Sequence, residues 1–339
     1  MVRVIAAFII AMLVSIVIGP KVIEWLRGYA TGHKIQEELL EHHHAKQETP
    51  NMGGLLIILT STLAYLLVGK YTLAGLTVLG ATIGCGFVGF LDDWLKVTHQ
   101  RSLGLRGRWK LVLLVAITVG VGIAAHEMSF RHPTDVYLPG LDWSIPLSYG
   151  WYALLFFVVA GAANGVNLTD GLDGLAAGTG MIALLTFAAI NVIAYIRSDT
   201  IVAERSQSAL DLAILGAALV GGTIGFLWYN AFPADVFMGD TGSMAIGGAL
   251  AGFAIMTKTE MLLLLIGGIF LIEALSVIAQ VLSFKWTGKR IFLIAPIHHH
   301  FVMKAWSETK VMVRFWILAA ILCAAGFALY YRYYLEFRR

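Results

Sequence analysis

Long apolar runs dominate the chain, broken at intervals by short polar stretches. Runs of about 20 residues are long enough to cross a bilayer as helices. They predict about ten transmembrane helices, over 4–23, 53–69, 72–91, 110–126, 151–166, 178–196, 209–229, 242–257, 261–283 and 315–332. Gly69-Lys70-Tyr71 divides the second run from the third as a tight hairpin. The first run is read as a retained helix ending near Gly19-Pro20-Lys21, and not as a cleaved signal. No internal repeat interrupts the series, so residues 1–339 are expected to form one integral membrane domain. The predicted class is an all-α polytopic membrane protein.

Composition supports this. The chain is 58% hydrophobic and 13% charged, against about 25% charged in soluble domains. Its mean hydropathy is +0.78. A net charge of +3 gives no basis for nucleic acid as a partner. Cys85 and Cys323 both lie in apolar runs and read as packing residues.

Charge placement orients the bundle. With ten spans, alternate loops share a side. One side carries 15 of the 24 basic residues, including Lys46, Lys96, Arg108 and Lys110. By the positive-inside rule that side faces the cytoplasm. The polar clusters fall on the same side: Asp92-Asp93 through Lys96, Asn164 to Gly174, Asn230 to Gly242, and Ala295 to Phe301. Ionisable groups gathered at one end of a bundle point to a single site.

Asp92, Asp93, Asp170, Asp173 and Asp240 offer hard oxygen ligands suited to Mg²⁺ or Mn²⁺. Asp170-Gly171 and Asp173-Gly174 also suit turns. Adjacent helical residues point in different directions. Asp92 and Asp93 should therefore not share a proton; one faces a reacting phosphate while the other braces a cation or a helix end. His298-His299-His300 lacks zinc-site spacing and suits hydrogen bonds to phosphate or ribose. His42-His43-His44 reads as a solvated run. Lys96, Arg108 and Lys110 suit a polyanionic substrate or anionic headgroups equally. Gly84-Cys85-Gly86-Phe87-Val88-Gly89 matches a dinucleotide fingerprint but sits within an apolar run, so it reads as helix packing. Glu273 and Gln280 share a helix face, lining a groove or bonding across helices. An ion relay through Asp92, Asp173 and Glu273 would need acids along a path to both sides, and these collect at one end.

The motifs resemble those of the phospho-N-acetylmuramoyl-pentapeptide transferases, along essentially the whole chain. They are Pro50 to Gly54, Asp92-Asp93, Asn167 to Gly174, Phe237 to Asp240, and Ala295 to Phe301. The triple histidine separates this branch from sibling transferases that use UDP-N-acetylhexosamine. The resemblance implies attack of undecaprenyl phosphate on UDP-N-acetylmuramoyl-pentapeptide, releasing UMP and forming lipid I in a bacterial plasma membrane. It implies Mg²⁺ on Asp240, with Asp92 as base or lipid-phosphate positioner, and Asp93, His298, His299 and His300 near the phosphates. Lys46, Lys96, Lys110, Asn167, Asp170, Asp173, Asn230, Phe237 and Gly239 would bind substrate, with Phe237 available to stack on uracil. Membrane lipids surround the chain, and a homodimer is among the assemblies it allows. Asn51 and Val302 depart from the family pattern, and neither is expected to touch the acids or histidines.

Overall fold

A computed structural model describes residues 1–29, 49–99, 104–128, 133–138, 143–198 and 203–334. Lys46 and the 42–44 histidine run lie outside the described residues. The chain forms α1 (Val2–Tyr29), α2 (Gly54–Val68), α3 (Leu73–His99), α4 (Gly107–Glu127), β1 (Asp135–Leu138), β2 (Trp143–Pro146), α5 (Gly150–Thr169), α6 (Leu175–Arg197), α7 (Ala203–Asn230), α8 (Gly239–Met256), α9 (Leu263–Ile266), α10 (Gly268–Thr287), α11 (Ile297–Met303) and α12 (Glu308–Leu329). A π-helical turn over Tyr330–Tyr334 follows.

Among the described residues, eight helices are long and apolar enough to cross a membrane. They are joined by α2, of 15 residues, and α8, of 18. The all-α membrane architecture is therefore observed. The small exception is the antiparallel hairpin of β1 and β2, with Asp135 opposite Pro146.

The bundle is built around α7 and α8. Residues 241–256 of α8 are all buried. The helix is rich in glycine and alanine, which lets neighbouring backbones approach closely. A Cβ on Gly247 would stand 2.5 Å from the Ala162 carbonyl oxygen of α5, and one on Gly248 2.6 Å from that of Ala81 in α3. α7 is wrapped by α1, α2 and α6.

α1 continues through Pro20 to Tyr29, beyond the end predicted near Gly19-Pro20-Lys21. Proline has no N–H for the carbonyl four residues back. That carbonyl belongs to Ile16, and the Tyr229 hydroxyl of α7 donates to it at 2.5 Å. The predicted helix over 261–283 is instead broken at Gly267 into α9 and α10. Two polar side chains of α10 hold the following loop: Gln280 Oε1 accepts from the Ile291 and Phe292 N–H groups, and Ser276 Oγ accepts from that of Ile297.

At the opposite end of the bundle, Asp211 of α7 is fully buried. It accepts from Tyr65 Oη (2.8 Å), the Lys70 N–H (2.6 Å), and the Thr72 N–H and hydroxyl (both 2.8 Å). These bonds pin the turn between α2 and α3.

Candidate active site

The close crossing of α3 and α8 brings the acids together. A Cβ on Gly89 would lie 2.0 Å from the Asp240 carbonyl oxygen. The glycine motif thus acts in helix packing, and it lets the start of α8 lie against the end of α3. Oxygens of Asp92, Asp93 and Asp240 consequently lie within 4.8 Å of one another.

The three carboxylates have different duties. Asp93 is fully buried and accepts from the Thr241 N–H at 2.9 Å and its hydroxyl at 2.7 Å. It thereby caps the first turn of α8, where negative charge is favoured. Asn51 Nδ2 donates to its other oxygen at 3.2 Å. This corrects the expectation that Asn51 stays clear of the acids: the 50–54 loop runs beside 237–239, with Phe237 N–H donating to Pro50 and Gly53 N–H to Phe237. Val302 instead packs into an apolar cluster beneath α11. Asp92 turns the other way, accepting from the Leu105 N–H at 2.9 Å.

Two lysines complete the cluster. Lys96 Nζ lies 2.6 Å from Asp92, 3.2 Å from Asp240 and 3.9 Å from Asp93. Lys110 Nζ lies 2.8 Å from Asp240 and 3.3 Å from Asp92. A single ammonium within reach of three carboxylates marks a point where positive charge is satisfied. Hard oxygen donors around such a point fit a Mg²⁺-sized cation. Of the three, Asp240 is the most accessible, with its side chain 16% exposed against 5% and 0% for Asp92 and Asp93.

The 167–174 and 230–239 segments form the neighbouring wall. Asn167 Nδ2 donates to Ser243 Oγ at 3.1 Å, and Ser243 donates to the Gly239 carbonyl at 2.8 Å. Asp170 accepts from the Gly239 N–H. Burial, with Asp240 and Asp93 nearby, pushes its carboxyl up to about 8. Gly239 has φ +73°. A side chain there would be strained and would also meet Asp93 and Asn51 at 2.6 Å. Asp173 accepts from the Ala234 N–H at 3.2 Å. Asn230 is buried, accepting from the Gly174 N–H and donating to the Val236 carbonyl. Those bonds brace the wall. Phe237 is half-buried.

α11 carries the histidines onto this wall. Ile297, Phe301 and Val302 sit against a small apolar cluster that includes Leu172, Leu175 and Phe315. A methyl on Gly171 would stand 2.2 Å from His298 Nε2 and 3.0 Å from His299 Nε2. His298 is fully buried. Its Nδ1 lies 3.1 Å from Glu273 Oε1 of α10, an ion-pair distance whose angles fall short of a hydrogen bond. The His298 and His299 rings are 4.1 Å apart. His300 faces away and accepts from the Leu293 N–H at 3.1 Å. Thr241 and Ser243 also belong to the site, and their only sequence signal is position, one and three residues after Asp240.

A family model described as glycosyl transferase family 4 matches residues 75–258. The phospho-N-acetylmuramoyl-pentapeptide-transferase of Geobacillus sp. (strain WCH70) is 44% identical over 325 residues, covering 94% of this chain and 95% of the relative. That of Bacillus subtilis (strain 168) is 42% identical over 322 residues, with the same coverage. That of Rubrobacter xylanophilus is 44% identical over 331 residues, covering 95% of each. The chain belongs to the phospho-N-acetylmuramoyl-pentapeptide-transferase family. Membership makes it a membrane transferase, as the motif resemblance implied. Every described motif of the phospho-N-acetylmuramoyl-pentapeptide-transferase resemblance lies at one end of the bundle.

Proposed function

We propose that the chain transfers phospho-N-acetylmuramoyl-pentapeptide from its UDP conjugate to undecaprenyl phosphate, giving lipid I and UMP. An oxygen of the lipid phosphate attacks the sugar-bearing phosphorus. The bond from that phosphorus to the bridging oxygen breaks, and UMP leaves with the electron pair. The observation that carries this is the convergence of Asp92, Asp93 and Asp240 with Lys96 and Lys110 beside the His298–His299 wall. Phosphoryl transfer needs positioning and charge neutralisation more than covalent chemistry, and this cluster supplies both.

Asp240, with Asp92 beside it, would hold Mg²⁺, which supplies charge neutralisation on the donor's pyrophosphate. Asp92 positions the lipid phosphate or takes its proton. Asp93 holds the start of α8 so that Asp240 keeps its place. His298 and His299 hydrogen-bond phosphate oxygens, and Lys96 and Lys110 pair with them when substrate enters. Asn167, Asp170, Asp173, Phe237 and Gly239 form the nucleotide wall, braced by Asn230, and the motif match adds Lys46 and His300 as substrate-binding residues. The acid-bearing end faces the cytoplasm of a bacterial plasma membrane, a reading supported by the excess of basic residues there.

Purified protein given undecaprenyl phosphate and the muramoyl-pentapeptide donor should release UMP. EDTA should stop release and added Mg²⁺ restore it. Unimpaired turnover in excess EDTA would remove the metal assignment. Transfer from UDP-N-acetylhexosamine alone would overturn the substrate reading.

A further inference from the structure

An apolar crevice of about 360 Å³ opens between α1, α6, α7 and α12, far from the acids. Leu185, Ala189, Ile193, Ala217, Val220 and Phe327 are among its lining residues, and it has almost no polar surface. Its volume falls within the roughly 300–1,000 Å³ of ligand sites.

The rim of the crevice is basic. Arg197 lies one turn beyond the lining residue Ile193, and Arg332 lies five residues beyond Phe327, in the π-helical turn; Arg3, next to Val4, is instead held by the Val68 carbonyl of α2 at 3.5 Å. The ends of α6 and α12 meet there: Arg197 donates to the Tyr331 hydroxyl and sits over its ring, 4.4 Å from the centroid. Arg197 and Arg332 are both exposed. This end is opposite the acid cluster, where the positive-inside rule disfavours arginine. At that end Lys258, by contrast, is held at 2.7 Å by the Pro133 carbonyl and at 3.4 Å by Glu260. Two exposed arginines at the mouth of an aliphatic slot match a phosphate above an acyl chain.

We propose that this crevice binds one anionic phospholipid, with an acyl chain in the slot and the headgroup phosphate against Arg197 and Arg332. The site is separate from the transfer reaction.

Native mass spectrometry of the full chain, with added phosphatidylglycerol or phosphatidylcholine, tests this. The wild-type chain should retain one phosphatidylglycerol in preference to phosphatidylcholine. Arg197→Gln and Arg332→Gln should each weaken that preference by about fivefold. Ala189→Phe, which fills the slot, should abolish retention of both lipids while UMP release stays at the wild-type rate. Equal retention of both lipids, or no change in any variant, would overturn the proposal. So would efficient cross-linking of two copies through a cysteine placed at 189, because a second chain would then occupy the crevice.

Discussion

Asp211 and Asp92 are both carboxylates buried in helices of one apolar bundle, yet their surroundings differ in kind. Asp211 receives four hydrogen bonds from Tyr65, Lys70 and Thr72, all within the α2–α3 turn and its flanks. Its charge is spent on holding a turn. Asp92 has one backbone donor, Leu105, and otherwise shares Lys96 and Lys110 with Asp240. Those lysines are long and ion-paired, so an incoming polyanion can draw them away. A buried acid therefore signals function here by how its charge is balanced: fixed neutral donors make a joint, and shared mobile cations make a site.

The sharpest way to break that comparison is Asp240→Asn. Loss of the most accessible carboxylate should lower UMP release by about 10³-fold, with the melting temperature in detergent near wild type. Retained activity would mean that the cluster is a joint like that of Asp211. Next in size is Gly89→Ala, which forces α3 and α8 apart at the Asp240 carbonyl. A misplacement near 1 Å can cost about 10²-fold in rate, so activity should fall by that order. Because the added methyl also strains a packed interface, the melting temperature should drop too. Wild-type turnover in this variant would show that the close approach does not position Asp240.

Much of this was legible in the chain. The apolar runs locate the helices because a bilayer-spanning segment must be apolar along its length. The divergence of Asp92 and Asp93 follows from helix geometry alone, and Asp93 does brace a helix end. What stayed hidden was contact between distant segments. Asn51 reaches Asp93 because two loops pair through backbone bonds, and no local pattern encodes that pairing. The break at Gly267 lies in an unbroken apolar run, where periodicity gives no signal. α11 is too short and polar to stand out, and only its seat on Leu172 and Phe315 orients the histidines. Asp211 carries no sequence signal, because nothing beside it in the chain suggests the turn it holds.

Asp211→Asn sharpens the other half of the comparison. The variant replaces a charged acceptor of four bonds with an amide that also carries donors, facing groups that already donate. Hydrogen bonds to charged groups contribute about 1.5–3 kcal/mol, so a loss of about 1–3 kcal/mol is expected, read as a lower melting temperature in detergent. UMP release per folded molecule should be unchanged. A selective loss of turnover without destabilisation would place Asp211 in the catalytic machinery and dissolve the distinction.

The smallest expected effect concerns Asp170, which stands between the two cases. It accepts a fixed backbone bond from Gly239 yet also feels the charges of Asp240 and Asp93, and burial foremost raises its carboxyl to about 8. A carboxyl raised in the folded state favours folding when protonated. Its stabilising contribution is complete below the ordinary carboxylate range, near pH 4, and is lost as pH rises toward about 8. In EDTA, the wild-type melting temperature should therefore decline across that window more steeply than that of Asp170→Asn, which has no proton to lose. Parallel curves for the two proteins would mean that Asp170 is already ionised at neutral pH, its charge balanced by the same lysines that serve Asp92 and Asp240, and would move it from the wall into the cluster.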